Sequence, residues 1–409
     1  MMLNIHAVCV LVASLSMFAS LVSASSVHAA ADKWHRFKLP KPEGAGENAQ
    51  AESVILDEEV EGSEEDLIKQ DKETVNQDGI SLYCDAECEV SDVASQRNYT
   101  VDEAEEMLAF ETLYPNGTRT LTRPRVQEKM VNYINRWTHT VRKQKQKAAG
   151  GAKRRRKRAV FGLDSRFEIN VMKYVTMYPF SATVKLSVGC SGVLIAPQYV
   201  LTSAHCIHNG KRYVVDVKEI RAGFRREREP IPGEDPDLAN AQAFFWIRAS
   251  KVYLPYDWTN KKSNQLLPLD KDYAVILLKR SPERQHLEVG IGDTGNIPLG
   301  TMVHFASFDI PDDPTLFYRF CTVNGGTQHL FYQQCDGSPT SIGSGIYVRQ
   351  WEPDQATWSR KVIGIYGGFT SYVNSFGIRE EQNVAMRITP LKFAQICYWI
   401  TGDYGECKG

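Results

Sequence analysis

Three short stretches of this chain hold residues whose types could do chemistry together. The first ends in a histidine, Leu201-Thr202-Ser203-Ala204-His205-Cys206. The second begins with a carboxylate, Asp272-Tyr273-Ala274-Val275-Ile276-Leu277-Leu278. The third is rich in hydroxyls and glycine, Thr340-Ser341-Ile342-Gly343-Ser344-Gly345-Ile346-Tyr347-Val348. A histidine and a hydroxyl, with a third group to orient the histidine, are the ingredients of nucleophilic catalysis. Singly, none of them decides anything: a lone histidine is usually a surface or core residue, and an aspartate before an apolar run is common. The centre of the third stretch is Ile342, which has no proton to give and no lone pair to attack with.

The elements that must position these stretches are legible around them. Beyond Arg158 the chain turns to short β-branched and aromatic runs separated by Gly, Pro, Asn and Asp. Ala182 to Leu186, Tyr199 to Leu201, Tyr273 to Leu278, Gly345 to Val348 and Lys361 to Tyr366 read as strands, and many short strands with turn signals predict an all-β sandwich or barrel. Pro390 to Ile400 reads as a closing helix, with Leu391, Ala394, Ile396, Cys397 and Ile400 on an apolar side. No internal repeat is visible. Upstream, Thr100-x-x-Glu103 is a capping box that opens a short helix through Met107 and Phe110. A second helix is expected after Pro124, where Val126, Met130, Ile134, Trp137 and Val141 fall on one face.

Length and composition set the frame. With 409 residues, 43% hydrophobic and 24% charged, the chain has room for two or three domains and a large core. The net charge of -1 supplies no bulk field toward nucleic acid or anionic membranes. That balance hides a split, because Glu43 to Glu111 is mostly acidic and Arg142 to Arg158 strongly basic. An apolar run from Val8 to Val22, followed by small residues, reads as a signal peptide over 1–24; it is short for a membrane span. Residues 25–158 read as an acidic prosegment, partly disordered and partly helical, of which Ser25 to Gly79 has too few aromatics for a core of its own. It ends in Lys153-Arg154-Arg155-Arg156-Lys157-Arg158, an exposed multibasic run where a furin-like convertase is expected to cut after Arg158. A heparin or sulfated-glycan patch is a compatible reading of the same run. Residues 159–409 form the main domain. Beyond Cys9 the even count of eight cysteines suggests disulfides in a secreted, extracellular setting. Their spacing, without CxxC pairs or a histidine cluster, argues against zinc, and no cofactor is expected. Asn98-Tyr99-Thr100 and Asn116-Gly117-Thr118 are glycosylation acceptors.

Cys190-Ser191-Gly192-Val193-Leu194-Ile195 running into Leu-Thr-Ser-Ala-His-Cys resembles the histidine segment of the trypsin/chymotrypsin-like serine proteases. Asp272 and its apolar run resemble that family's aspartate segment, and the order His, Asp, nucleophile is the family's. The resemblance implies two antiparallel six-stranded Greek-key barrels with a C-terminal helix. It also implies a disulfide between Cys190 and Cys206. His205 would be the general base and Asp272 the residue that fixes its tautomer.

The family's Gly-Asp-Ser-Gly-Gly-Pro, set against the strand Ile346-Tyr347-Val348, places Ile342 at the nucleophilic serine and Thr340 and Ser341 at the Gly and Asp before it. The alternative register uses Ser344 but leaves no room for the family's turn before the strand. Loss of the serine typically costs on the order of a million-fold in rate. The backbone N–H groups of Ile342 and Thr340 take the oxyanion-hole positions. Ser341 cannot make the ion pair that a new N-terminus forms with the family's Asp. Gly367, in Gly364-Ile365-Tyr366-Gly367-Gly368, stands at the usual Ser of the substrate-binding strand. Gly162 to Phe167, Gly343 to Arg349 and Asn383 to Leu391 resemble a vertebrate group in this family, one branch of which is regarded as inactive through loss of the serine. The expectation is a secreted, glycosylated, non-catalytic homologue that binds an extracellular protein through the old cleft. The alternatives are a weak endopeptidase using Ser344 and a heparin-binding or matrix-binding protein.

Overall fold

The computed structural model describes residues 51–56, 98–145, 164–228, 231, 233–260, 268–291, 297–352, 356–373 and 379–404. The expected signal peptide, Cys84, Cys88, the basic run with Arg158, and Cys407 lie outside these residues.

The strands are β1 (Glu52–Leu56), β2 (Phe110–Leu113), β3 (Arg119–Arg123), β4 (Phe167–Glu168), β5 (Thr183–Leu186), β6 (Ser191–Ala196), β7 (Tyr199–Thr202), β8 (Arg221–Arg225) and β9 (Phe244–Pro255). They continue with β10 (Ala274–Leu278), β11 (Glu288–Val289), β12 (Met302–Ser307), β13 (Phe317–Gly326), β14 (Leu330–Gln333), β15 (Gly345–Glu352), β16 (Thr357–Val373) and β17 (Arg379–Arg387). β5-β6-β7-β10-β9-β8 closes on itself through the β9–β8 pairing, and β12-β13-β14-β17-β16-β15 closes through β12–β15. Each ring is six-stranded and antiparallel, and the second repeats the connectivity of the first. This is the expected double barrel, whose closure pairs β8 with β9 and β12 with β15. One continuous core runs through both barrels, from Val184, Leu194, Leu201 and Ile276 to Phe305, Ile346, Ile365 and Met386.

The stretch read as a prosegment differs from expectation. Its two helices are present: α1 (Val101–Met107), with the Thr100/Glu103 capping box formed but ending before Phe110, which was expected in the helix and instead opens β2, and α2 (Glu128–Lys145), with Met130 and Ile134 buried. But it also contributes three strands. β2 pairs with β9, β3 with β2, and β1 with β3, so the first barrel's sheet is extended outward. β1 falls in the acidic stretch read as coreless; it borrows the edge of β3, and Val54 and Ile55 stay exposed. Asn116 is exposed in the turn joining β2 to β3, and Asn98 is exposed ahead of α1. The expected closing helix spans Pro390–Thr401; Thr389 caps its start and Gly402, in the left-handed region, ends it. Among the described residues no helix is long and apolar enough to cross a membrane.

Candidate functional site

Sheet register brings His205 and Asp272 together. β7 and β10 are antiparallel neighbours with Thr202 opposite Ala274. The turn that follows β7 and the turn that precedes β10 therefore lie at the same end of the barrel. The first is a single 3-10 turn, Ala204–Cys206, and it carries His205. The second is Leu269–Lys271, and it delivers Asp272. A Cys190–Cys206 disulfide ties the histidine turn to the start of β6, and Cys321–Cys335 joins β13 to the loop after β14.

The His205 Nδ1–H donates to Asp272 Oδ2 at 2.6 Å, and the His205 backbone N–H donates to Oδ1 at 2.9 Å. The Ser203 hydroxyl lies 2.7 Å from the same Nδ1. Burial pushes the Asp272 carboxyl up, but the His205 ring, the Ser203 hydroxyl and the His205 backbone outweigh it and hold Asp272 below its ordinary value. Sequence reasoning quoted Ser203 only as part of a motif. At Gly367 a Cβ would stand 3.9 Å from Asp272 Oδ2, so a side chain there would face the carboxylate; this chain supplies the neighbouring hydroxyl from the histidine turn instead.

On its other side His205 has no hydrogen-bond partner among the described residues. Its Nε2 is buried without a hydrogen-bond partner, and the ring is 3% exposed. Ser344 Oγ is also buried and unpartnered, so the two do not bond to each other.

The third stretch is a 3-10 turn, Pro339–Ser341, capped by Ile342. Gly343 follows at φ +88, where a Cβ would stand 2.2 Å from Thr202 Oγ1 and 2.3 Å from the Ser191 carbonyl; only glycine lets this loop lie so close to the histidine strand. Ile342 is 6% exposed, and its Cδ1 lies 3.5 Å from where a Cβ of Gly368 would be. Its side chain thus packs against the segment that the resemblance assigns to substrate backbone. The Ile342 N–H, assigned to the oxyanion hole, donates to the Pro339 carbonyl at 3.2 Å. Thr340 sits inside the turn, where its branched side chain is accommodated, and its carbonyl accepts from Ser191 Oγ at 2.8 Å.

Beneath this turn lies a buried polar network that the sequence did not suggest. The side chains of Asp309 and Arg319 are both 0% exposed and paired through two 2.8 Å bonds from Arg319 Nη2. Ser341 Oγ donates to Asp309 Oδ1 at 2.9 Å and accepts from Arg319 Nη1 at 3.2 Å. Arg166 Nη1 reaches Asp309 Oδ2 at 3.1 Å, and Ser165 donates to Asp336 through both its N–H (2.6 Å) and its hydroxyl (2.7 Å). Ser341, at the position of the family's Asp, is therefore held by an internal ion pair.

Three histidines, His208 and His304 buried and His329 half-buried, give the fold a pH dependence. Burial, with nearby cations, pushes His208 and His304 down to about 4 and His329 to about 3. Their unfolded value is about 6.5. Depressed folded values mean that their contribution to stability is complete above about pH 6.5 and is lost as pH falls toward 4. Urea midpoints measured between pH 7.5 and pH 4.5 (roughly spanning that range) are expected to fall steadily. A flat profile would contradict the burial of these rings.

The trypsin family model matches residues 171–285, which hold His205 and Asp272. Rat serine protease 23 is 40% identical over 314 residues, covering 76% of this chain and 80% of that protein. Mouse inactive serine protease 35 is 38% identical over 345 residues, covering 75% and 81%. Human inactive serine protease 35 is 36% identical over 369 residues, covering 80% and 86%. Among solved structures, a Glu endopeptidase aligns over 59% of this chain and 98% of its own, at 17% identity and a TM-score of 0.41. Identity leaves the two names level, so the residues of the site must separate them.

Proposed function

Because this chain belongs to the trypsin-like serine protease family, in the group of serine protease 23 and inactive serine protease 35, we propose that it is a secreted homologue without peptidase activity that works by binding another extracellular protein. One observation carries the reading: Ile342, the residue read at the position of the nucleophile, packs its side chain against the Gly368 segment, while His205 Nε2 is buried without a hydrogen-bond partner. Among the described residues no group hydrogen-bonds to His205 Nε2. The buried, unpartnered Ser344 hydroxyl argues against the weak-endopeptidase alternative.

Burial of His205 and Ile342 also argues against a partner inserting a peptide into the old cleft, and for contact on the surface around a filled site. Secretion, glycosylation at Asn98 and Asn116 and convertase cleavage after Arg158 complete the proposal. The heparin reading rests on the basic run and would show as heparin retention that disappears when Arg154 to Lys157 are neutralised. The test is a diverse peptide library incubated with purified, convertase-cut protein. No cleavage is expected. Cleavage that disappears in Ser344→Ala would defeat the proposal.

A further inference from the structure

The segment ahead of the multibasic run is built into the first barrel. β2 adds to the outer edge of β9 through four residue pairs, from Phe110 opposite Pro255 to Leu113 opposite Val252. Strand addition of this kind satisfies the backbone groups of an otherwise open edge. Leu108, Ala109, Phe110 and Leu113 are each buried, and Leu108, Phe110 and Leu113 join the common core. The Phe110 ring meets Tyr253, Tyr398 and Trp399 edge-on, with centroids 5.8 to 6.1 Å away, and so touches both barrel and C-terminal helix.

Polar groups complete the seal. The Ala109 carbonyl accepts from the Tyr256 N–H at 3.0 Å and from Gln395 Nε2 at 3.2 Å. Glu111, 2% exposed, accepts from the Tyr213 hydroxyl at 2.5 Å and lies 3.7 Å from Arg119. Removing the segment would leave the Gln395 amide, the Tyr213 hydroxyl and the β9 edge without these partners, and would bare Trp399 and Tyr253. Unpaired buried polar groups and exposed apolar edges are both costly.

A cut after Arg158 falls outside every one of these contacts. On the downstream side, Ser165 and Arg166 are held by Asp336 and Asp309, so both flanks of the cut are fastened independently. We propose that residues 98–136 are a permanent non-covalent component of the folded protein, and that hydrolysis of the Arg158–Ala159 bond, in which water supplies the new carboxylate and amine, yields a two-piece molecule that releases nothing. This holds whether or not the chain is cut in nature.

The test uses the full chain carrying Cys84→Ser and Cys88→Ser, so that no disulfide can link the pieces through those cysteines. It is cut after folding and run on size exclusion, with mass spectrometry of each peak. Both pieces are expected in one peak at a 1:1 ratio, with the amides of Val252 to Leu254 as protected from hydrogen exchange as in the uncut chain. A prosegment eluting alone, or loss of that protection on cutting, would overturn the proposal. A chain that resists the convertase would count only against the cleavage reading; a specific protease site inserted after Gly151 then supplies the cut, and the same two outcomes apply.

Discussion

Arg319→Met is expected to cost about 3–5 kcal/mol of stability, because it strands a buried carboxylate. Arg319 and Asp309 are both fully buried, and the arginine also donates to Ser307 and Ser341. In the variant Asp309 keeps the partly exposed Arg166 as its only ion-pair partner in the network, and the Ser341 hydroxyl loses one of its donors. Urea unfolding checks the magnitude. The double variant Arg319→Met/Asp309→Leu should recover much of the loss, since a buried ion pair replaced whole by apolar groups is often near neutral. A single variant as stable as the parent would show that the pair does not hold the turn.

Ile342→Ser is expected to restore no measurable amidase activity, although it returns a hydroxyl to the position read as the nucleophile. The reason lies in the backbone. Stabilising the tetrahedral intermediate needs free N–H groups, and the loss of one donor typically costs about 100-fold to 1,000-fold in rate. Here the N–H of residue 342 is bonded to the Pro339 carbonyl, inside a turn that Ser341 closes from below. Restoring a charge with Ser341→Asp as well would set a second carboxylate against Asp309, now 2.9 Å from the serine oxygen. The substitution also deletes a buried side chain, so a stability loss of about 2–4 kcal/mol is expected. Chromogenic ester and amide substrates, assayed beside urea midpoints, measure both effects. Turnover by the single variant would mean that the turn yields easily and that only the hydroxyl was lost.

What could be read from the chain was whatever local pattern controls. The capping box at Thr100, the strand before His205, the apolar run after Asp272 and the Thr389-Pro390 helix start all depend on neighbours in sequence, and all stand where expected. The register that places Ile342 at the nucleophile was read from the strand that follows, and that strand, β15, begins at Gly345.

Long-range pairing was not legible. Nothing local marks Arg319, set among aromatics in β13, as the partner of Asp309, or Ser165 as the donor to Asp336. The three prosegment strands stayed hidden because β1 and β3 are half-polar and β2 carries Glu111; their strand character comes from the edge they complete. The double barrel was expected from the family resemblance and not from an internal repeat: the two rings share topology, but no repeated string of residues is visible.

The central claim is that no side chain in this site can act as a nucleophile. The most direct measurement is fluorophosphonate labelling of the purified, convertase-cut protein, with intact-mass analysis and mapping of any adduct. The account predicts no adduct under conditions that label an active trypsin-like enzyme to completion. Stoichiometric label on Ser344, abolished by His205→Ala, would contradict it.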